Sequence, residues 1–167
     1  MLRIFQAVAL LAATMTMGLM AGVFGLYAHT IMPGLHKTDD RTFVGAFQAI
    51  DRAIINPLFM LWFFGALVFA GAAAALLGGE GAVLPWIVGA VVLYLAVVVI
   101  TLAVNVPLND AIKAAGEPDR IADLADVRER FDEARWVAWN VVRTVLSTAA
   151  LGCLAWALVQ YGRTVLA

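Results

Sequence analysis

Near the C-terminal end of the sequence an asparagine and an arginine stand inside hydrocarbon, in the stretch Trp136-Val137-Ala138-Trp139-Asn140-Val141-Val142-Arg143. At 1.5 Å rise per residue, Arg143 lies about 12 Å along a helix from Arg135, the last charge before the apolar run. A guanidinium at that depth is costly unless paired or wetted, so it marks either a site or a structural ion pair. Trp136, Asn140, Arg143 and Ser147 recur at helical spacing and form one stripe. His29, Asn56, Asn105 and Asn109 end or begin other apolar runs. In an up-down arrangement of helices they share one membrane level with that stripe. The chemistry such a set offers is that of a near-neutral base, a fixed cation, amides and indoles.

Each of these residues has a structural alternative when taken alone. Arg143 could pair with an acid such as Asp110 or with a lipid phosphate, and His29 could bond a backbone carbonyl. Asn105 and Asn109 could join helices, and Trp136 and Trp139 could serve as aromatic-belt anchors. Their joint occurrence favours a shared pocket, because polar groups in hydrocarbon are costly unless they satisfy one another. A metal centre has little support. His29 and His36 are seven apart across Pro33-Gly34, no HxxxH or HExxH pattern is present, and no carboxylate lies within an apolar run. A metal at His29 stays open as an alternative. Phosphate loops, nucleophile elbows and dinucleotide fingerprints are absent.

The elements that must position these residues are membrane-spanning helices. Of 167 residues, 63% are hydrophobic and 14% charged, with a mean hydropathy of +0.91, far from the balance of an average soluble domain. Lys and Arg number 11 against 12 Asp and Glu. No basic field therefore points to nucleic acid. Cys153 is the single cysteine, which excludes an intrachain disulfide.

The apolar run from Ile4 to Met32 is too long for a signal peptide and reads as a first span ending at Pro33-Gly34. Gly18, Gly22 and Gly25 share a face of it, with His29 one turn further, so that face is expected to turn toward the bundle or toward a second copy. Lys37 to Ile55 is amphipathic, with Phe43, Phe47, Ile50 and Ile54 on one side and Arg41, Asp51 and Arg52 on the other. It suits an interfacial helix or a lid over the bundle mouth. Asn56-Pro57 reads as an N-cap and first helical residue of the second span.

The third span begins near Pro85, with Tyr94, Thr101, Asn105 and Asn109 close to one face. Pro107 predicts a kink that turns both amides toward a cavity. Glu117-Pro118-Asp119 is expected to open a helix running straight into the fourth span, with Asp126 and Arg130 paired four apart. The sum is an all-α integral membrane four-helix bundle with amphipathic interfacial helices in its two long connections. Residues 1–167 form a single transmembrane domain, with spans at about 4–32, 57–77, 85–109 and 134–161. Lys and Arg concentrate in the long connections, which the positive-inside rule places in the cytoplasm.

The segments Gly25 to Leu35, Phe47-Gln48-Ala49-Ile50 with Asn56-Pro57, Asn105-Val106-Pro107-Leu108-Asn109, and Arg130-Phe131 with Trp136 to Arg143 resemble the anthrone oxygenase-like family, long filed as a domain of unknown function. The similarity runs through nearly the whole chain in order. It implies a small four-helix protein of the bacterial plasma membrane and an oxidoreductase of the monooxygenase type. Characterised relatives convert an anthrone into the anthraquinone.

The resemblance implies that His29 removes a proton from the substrate and that Arg143, with Asn140 and Asn105, stabilises the resulting enolate. Dioxygen then acts as co-substrate without a bound cofactor. Trp136, Trp139, Tyr27, Asn109 and Asn56 would contact a small hydrophobic aromatic substrate reaching the site from the bilayer. The competing reading is a non-enzymatic accessory subunit or lipid-binding scaffold, with the Gly18 and Gly22 face as a homo-oligomer contact.

Overall fold

The computed structural model describes residues 1–166, and all of its regular structure is helical. The first long helix comprises α1 (Leu2–Leu26), a π-turn (Tyr27–Ile31) and α2 (Met32–His36). Helix α3 (Asp40–Ile54) lies in the first long connection, and α4 (Pro57–Leu76) follows. The third comprises α5 (Leu84–Ile100), a second π-turn (Thr101–Asn105) and α6 (Val106–Ala114). A 3₁₀ turn (Pro118–Arg120) and α7 (Leu124–Phe131) lead to α8 (Glu133–Leu166). Four of these segments are long and apolar enough to cross a membrane: Leu2–His36, Pro57–Leu76, Leu84–Ala114 and Leu124–Val165.

The four spans form a closed square, with α1 against α4, α4 against α5, α5 against α8 and α8 against α1. This is an all-α membrane bundle of up-down type. Its inner face is built from narrow residues where backbones approach, including Ala66, Ala70 and Ala73 on α4, Ala90 on α5 and Ala150 and Ala157 on α8. Phe63, Ala66, Ala70, Ala73 and Leu77 recur at alternating steps of three and four, the spacing that keeps one helix face inward. Large apolar residues such as Val68, Val92, Leu95 and Val145 point outward, as a lipid solvent requires. A second apolar cluster of Met32, Phe43, Val44, Phe47, Ile112, Val127, Phe131 and Trp136 seats α3 and α7 on one end of the bundle.

Several local expectations are corrected. The first helix does not stop at Pro33-Gly34. It continues to His36 because the π-turn before Pro33 opens the backbone where the proline ring would press on the carbonyl four residues back. The same device precedes Pro107, so the third helix passes through a π-turn and extends to Ala114. Glu117-Pro118 opens only a 3₁₀ turn, and Asp132 breaks α7 from α8 by adopting φ 51°. Aspartate tolerates that left-handed conformation better than most residues. Asn56 caps α4 as expected, accepting from the Phe59 N–H at 3.0 Å, and Asp126 pairs with Arg130.

The glycine face of α1 departs from the expectation that it turns into the bundle. The buried face is centred on Leu10, Met17, Met20 and Phe24, and at 100° per residue Gly22 falls more than about 100° around the helix from it. Gly22 is exposed with nothing near the position of an added Cβ, while Gly18 faces Leu151 in ordinary contact. His29 is exposed and does not face the bundle.

Candidate functional site

A cavity of about 220 Å³ opens among the four spans at the level of both π-turns, with α3 contributing Phe47, Asp51 and Ile54 to its lining. Its wall is largely apolar and includes Phe24, Phe47, Phe59, Met60, Phe63 and Phe64. Phe64 and Leu102 line it while remaining about half exposed. The cavity therefore reaches the lipid-facing surface between α4 and the second π-turn.

Arg143 forms one polar end. It is buried on α8, where Nη2 donates to Asn140 Oδ1 at 3.0 Å and Nη1 to Thr101 Oγ1 at 3.2 Å. Its Nε has no partner. The guanidinium lies 4.6 Å from the centroid of the Phe24 ring and 5.4 Å from that of Trp136, distances at which ring quadrupoles attract a cation. Among the described residues it has no carboxylate partner. Asp110, the acid considered for that role, instead pairs with Lys113 at 3.0 Å, because both stand on α6 three residues apart. Asn140 is fixed in turn by donating Nδ2 to the Phe24 carbonyl at 3.1 Å, which ties α8 to α1. A cation held by neutral dipoles and aromatic faces retains unspent attraction for an anionic oxygen.

The second polar group comes from α3 and α6. Asp51 is buried on the inner face of α3, with Oδ1 accepting from Asn109 Nδ2 at 2.6 Å and Oδ2 lying 2.7 Å from Lys113 Nζ. Asn109 Oδ1 accepts from the Trp136 indole N–H at 2.7 Å. A continuous chain thus links Lys113, Asp51, Asn109 and Trp136, and Arg143 lies over the face of that same indole. Gln48, one turn before Asp51, docks α3 by donating to the carbonyls of Ile112 at 2.7 Å and Gly116 at 3.0 Å. Gly116, at φ 94°, ends α6 in a conformation that favours glycine.

The structure thus brings Tyr27, Asn109, Trp136, Asn140 and Arg143 to one cavity. Tyr27 contributes its ring, tilted against Trp136 at 5.6 Å between centroids. Asn105 is buried behind the wall and donates to the Trp136 carbonyl at 3.3 Å, so only one of the two amides beside Pro107 reaches the space. The remaining three residues lie elsewhere. His29 contacts Thr30 Oγ1, Asn56 is consumed by capping α4, and Trp139 faces outward on α8. His36 pairs with Glu133 at 2.9 Å. Among the described residues, no three His, Cys, Asp or Glu side chains converge as a ligand set.

Sequence reasoning missed Asp51, Lys113 and Thr101 as cavity residues. Asp51 carried one available signal: it lies four residues after Phe47, on the edge of the apolar face of its helix.

The fold and this cavity define a class: small multi-span membrane bundles that hold a buried, carboxylate-free cation against an aromatic chamber. The anthrone oxygenase family model matches residues 59–153, more than half of the chain, and the protein belongs to that family. The matched stretch contains Thr101, Asn109, Lys113, Trp136, Asn140 and Arg143. No curated protein and no solved structure matches the chain.

Proposed function

We propose that the protein is a membrane-embedded oxygenase that oxidises an enolisable hydrophobic aromatic compound with dioxygen, without a bound cofactor. The observation that carries this reading is Arg143, a buried cation without a carboxylate, set at the end of an aromatic cavity. Loss of a proton from the substrate places negative charge on its oxygen, and a preorganised guanidinium stabilises that charge more than it stabilises the neutral ketone. The electron-rich carbon then combines with dioxygen and a proton to give a hydroperoxide. Loss of water leaves a carbonyl where a methylene stood, so one oxygen atom enters the product and the other leaves as water. The aromatic walls suit a flat substrate, and the opening beside Phe64 and Leu102 suits access from the bilayer.

This chemistry favours an enzyme over a lipid-binding scaffold, because the cation is buried within the bundle beside an aromatic chamber and does not lie on an open headgroup surface. The test is oxygen uptake and quinone absorbance with a simple anthrone, using purified protein in detergent after treatment with a chelator, with air and without it. Oxygen-dependent turnover in wild type that falls at least 100-fold in Arg143→Ala supports the proposal. Wild type no faster than buffer, with the protein copurifying in a larger assembly, overturns it in favour of the accessory-subunit reading.

The proposal extends to placement in a bacterial plasma membrane with both long connections in the cytoplasm, on the basis of their Lys and Arg content. Cysteines introduced at Ala122 and Gly79 test this. Labelling of position 122 by a membrane-impermeant reagent in intact cells reverses the orientation.

A further inference from the structure

We propose that Asp51 is the proton acceptor of this site, and that the ligand therefore carries an acidic C–H or O–H in the space between Asp51 and Arg143. The inference rests on the oxygenase reading above. The ionisable groups lining the cavity are Tyr27, Asp51, Asp110, Lys113 and Arg143. A phenol and two cations do not serve as the resting base near neutral pH, and the Asp110 side chain is 64% exposed to the outside. Asp51 is the one carboxylate both buried and facing the chamber, with 6% of its surface exposed. His29 is outside the lining and exposed.

The surroundings of Asp51 fit the task. Asn109 holds one carboxylate oxygen and is itself held by the Trp136 indole N–H, so the acceptor is tied to the edge of the same rigid ring whose face carries the cation. Lys113 at the rim balances the charge of the aspartate at rest. When the substrate C–H bond breaks, its proton goes to a carboxylate oxygen of Asp51 and its electron pair delocalises onto the substrate oxygen at Arg143. The protonated Asp51 then returns that proton to the peroxide anion formed with dioxygen. A purely structural role explains less. Gln48 already docks α3 on α6 and the turn that ends it, through the carbonyls of Ile112 and Gly116, and a buried ion pair adds little to docking that a neutral contact would not supply.

The decisive experiment is anaerobic hydrogen exchange in D₂O, following deuterium at the acidic carbon of a simple anthrone by NMR, because it isolates proton removal from oxygen chemistry. Wild type accelerates exchange above the rate in detergent alone, and Asp51→Asn loses about 100-fold or more of that acceleration. Binding of the non-exchanging anthraquinone, read by tryptophan fluorescence, changes less than about threefold, which shows that the cavity persists. Acetate restores exchange to Asp51→Ala, a response that a merely structural aspartate does not give. Exchange in Asp51→Asn equal to wild type, or no rescue of Asp51→Ala by acetate, overturns the assignment. Wild type that consumes oxygen without catalysing exchange also overturns it while leaving the oxygenase standing. Wild type that does neither overturns the oxygenase reading itself.

Discussion

Arg143 donates Nη2 to Oδ1 of Asn140 at 3.0 Å, one turn earlier on the same helix, so the buried cation of this bundle is oriented by an amide. An amide fixes the direction of the guanidinium without cancelling its charge, which leaves that charge available to a ligand.

Asn140→Asp tests the relationship by supplying the missing carboxylate. The variant forms an internal ion pair and gives up the hydrogen bond from Asn140 Nδ2 to the Phe24 carbonyl, a loss of about 1–2 kcal/mol. Thermal stability in detergent therefore moves little. Affinity for a phenolate or enolate ligand drops at least tenfold, while a neutral isostere binds as before. Equal affinity of both proteins for the anionic ligand shows that Arg143 does not read charge.

The Trp136 indole is the shared mounting of the two polar groups, and Trp136→Phe keeps the ring while removing its N–H. Asn109 Oδ1 then loses its donor at 2.7 Å, costing about 1–2 kcal/mol of stability. Arg143 keeps an aromatic face, so ligand affinity holds while kcat falls about tenfold through the loosened Asn109 and Asp51. Steady-state kinetics separate the two parameters. A rise in KM with kcat unchanged contradicts this arrangement.

What could be read in advance follows from where the residues sit on the chain. Trp136, Asn140, Arg143 and Ser147 share one helix, and a period of 3.6 residues suffices to place them on one buried face. Asp51 and Lys113 belong to different helices. Whether a charged residue at the edge of an amphipathic face meets water or a chamber depends on how that helix tilts across the bundle, which periodicity does not encode. The π-turns were concealed for a related reason. Pro33 reads as a stop because its ring clashes in a regular α-turn, and only the inserted residue of Tyr27–Ile31 removes the clash. The glycines of α1 suggested an interior face, yet Met17, Met20 and Phe24 set that face by volume.

Arg128 is the second structural hub and lies outside the cavity. Nη1 donates to the Thr38 carbonyl at 2.9 Å and to Asp40 Oδ1 at 3.1 Å, while Nη2 donates to the His36 carbonyl at 3.1 Å and to Glu133 Oε2 at 3.2 Å. Its guanidinium also stacks 4.2 Å from the Phe43 centroid. One side chain thus joins the end of α2, the start of α3 and the start of α8. Arg128→Ala lowers stability by about 2–4 kcal/mol and exposes the 37–40 connection to protease. Arg128→Lys recovers little, because a point charge cannot serve acceptors in four directions. Limited proteolysis and thermal melts check both statements, and a melt of Arg128→Ala matching wild type refutes them.

The seating of α3 begins at Asp39, whose carboxylate caps the helix by accepting from the Thr42 N–H at 2.9 Å and the Thr42 hydroxyl at 2.8 Å. Those bonds favour the ionised form and hold its pKa below the ordinary 3.8. A depressed pKa means that the cap contributes fully above the unfolded value and loses its contribution as pH falls through the lower, folded one. Asp39→Ala should therefore fray the first turn of α3 at pH 7, with faster amide exchange over residues 40–44. The difference from wild type should vanish in acid below the folded pKa, where both proteins lack the charged acceptor. An exchange difference that persists undiminished there, after correction for the intrinsic slowing of exchange, would show that Asp39 holds the start of α3 by something other than its charge.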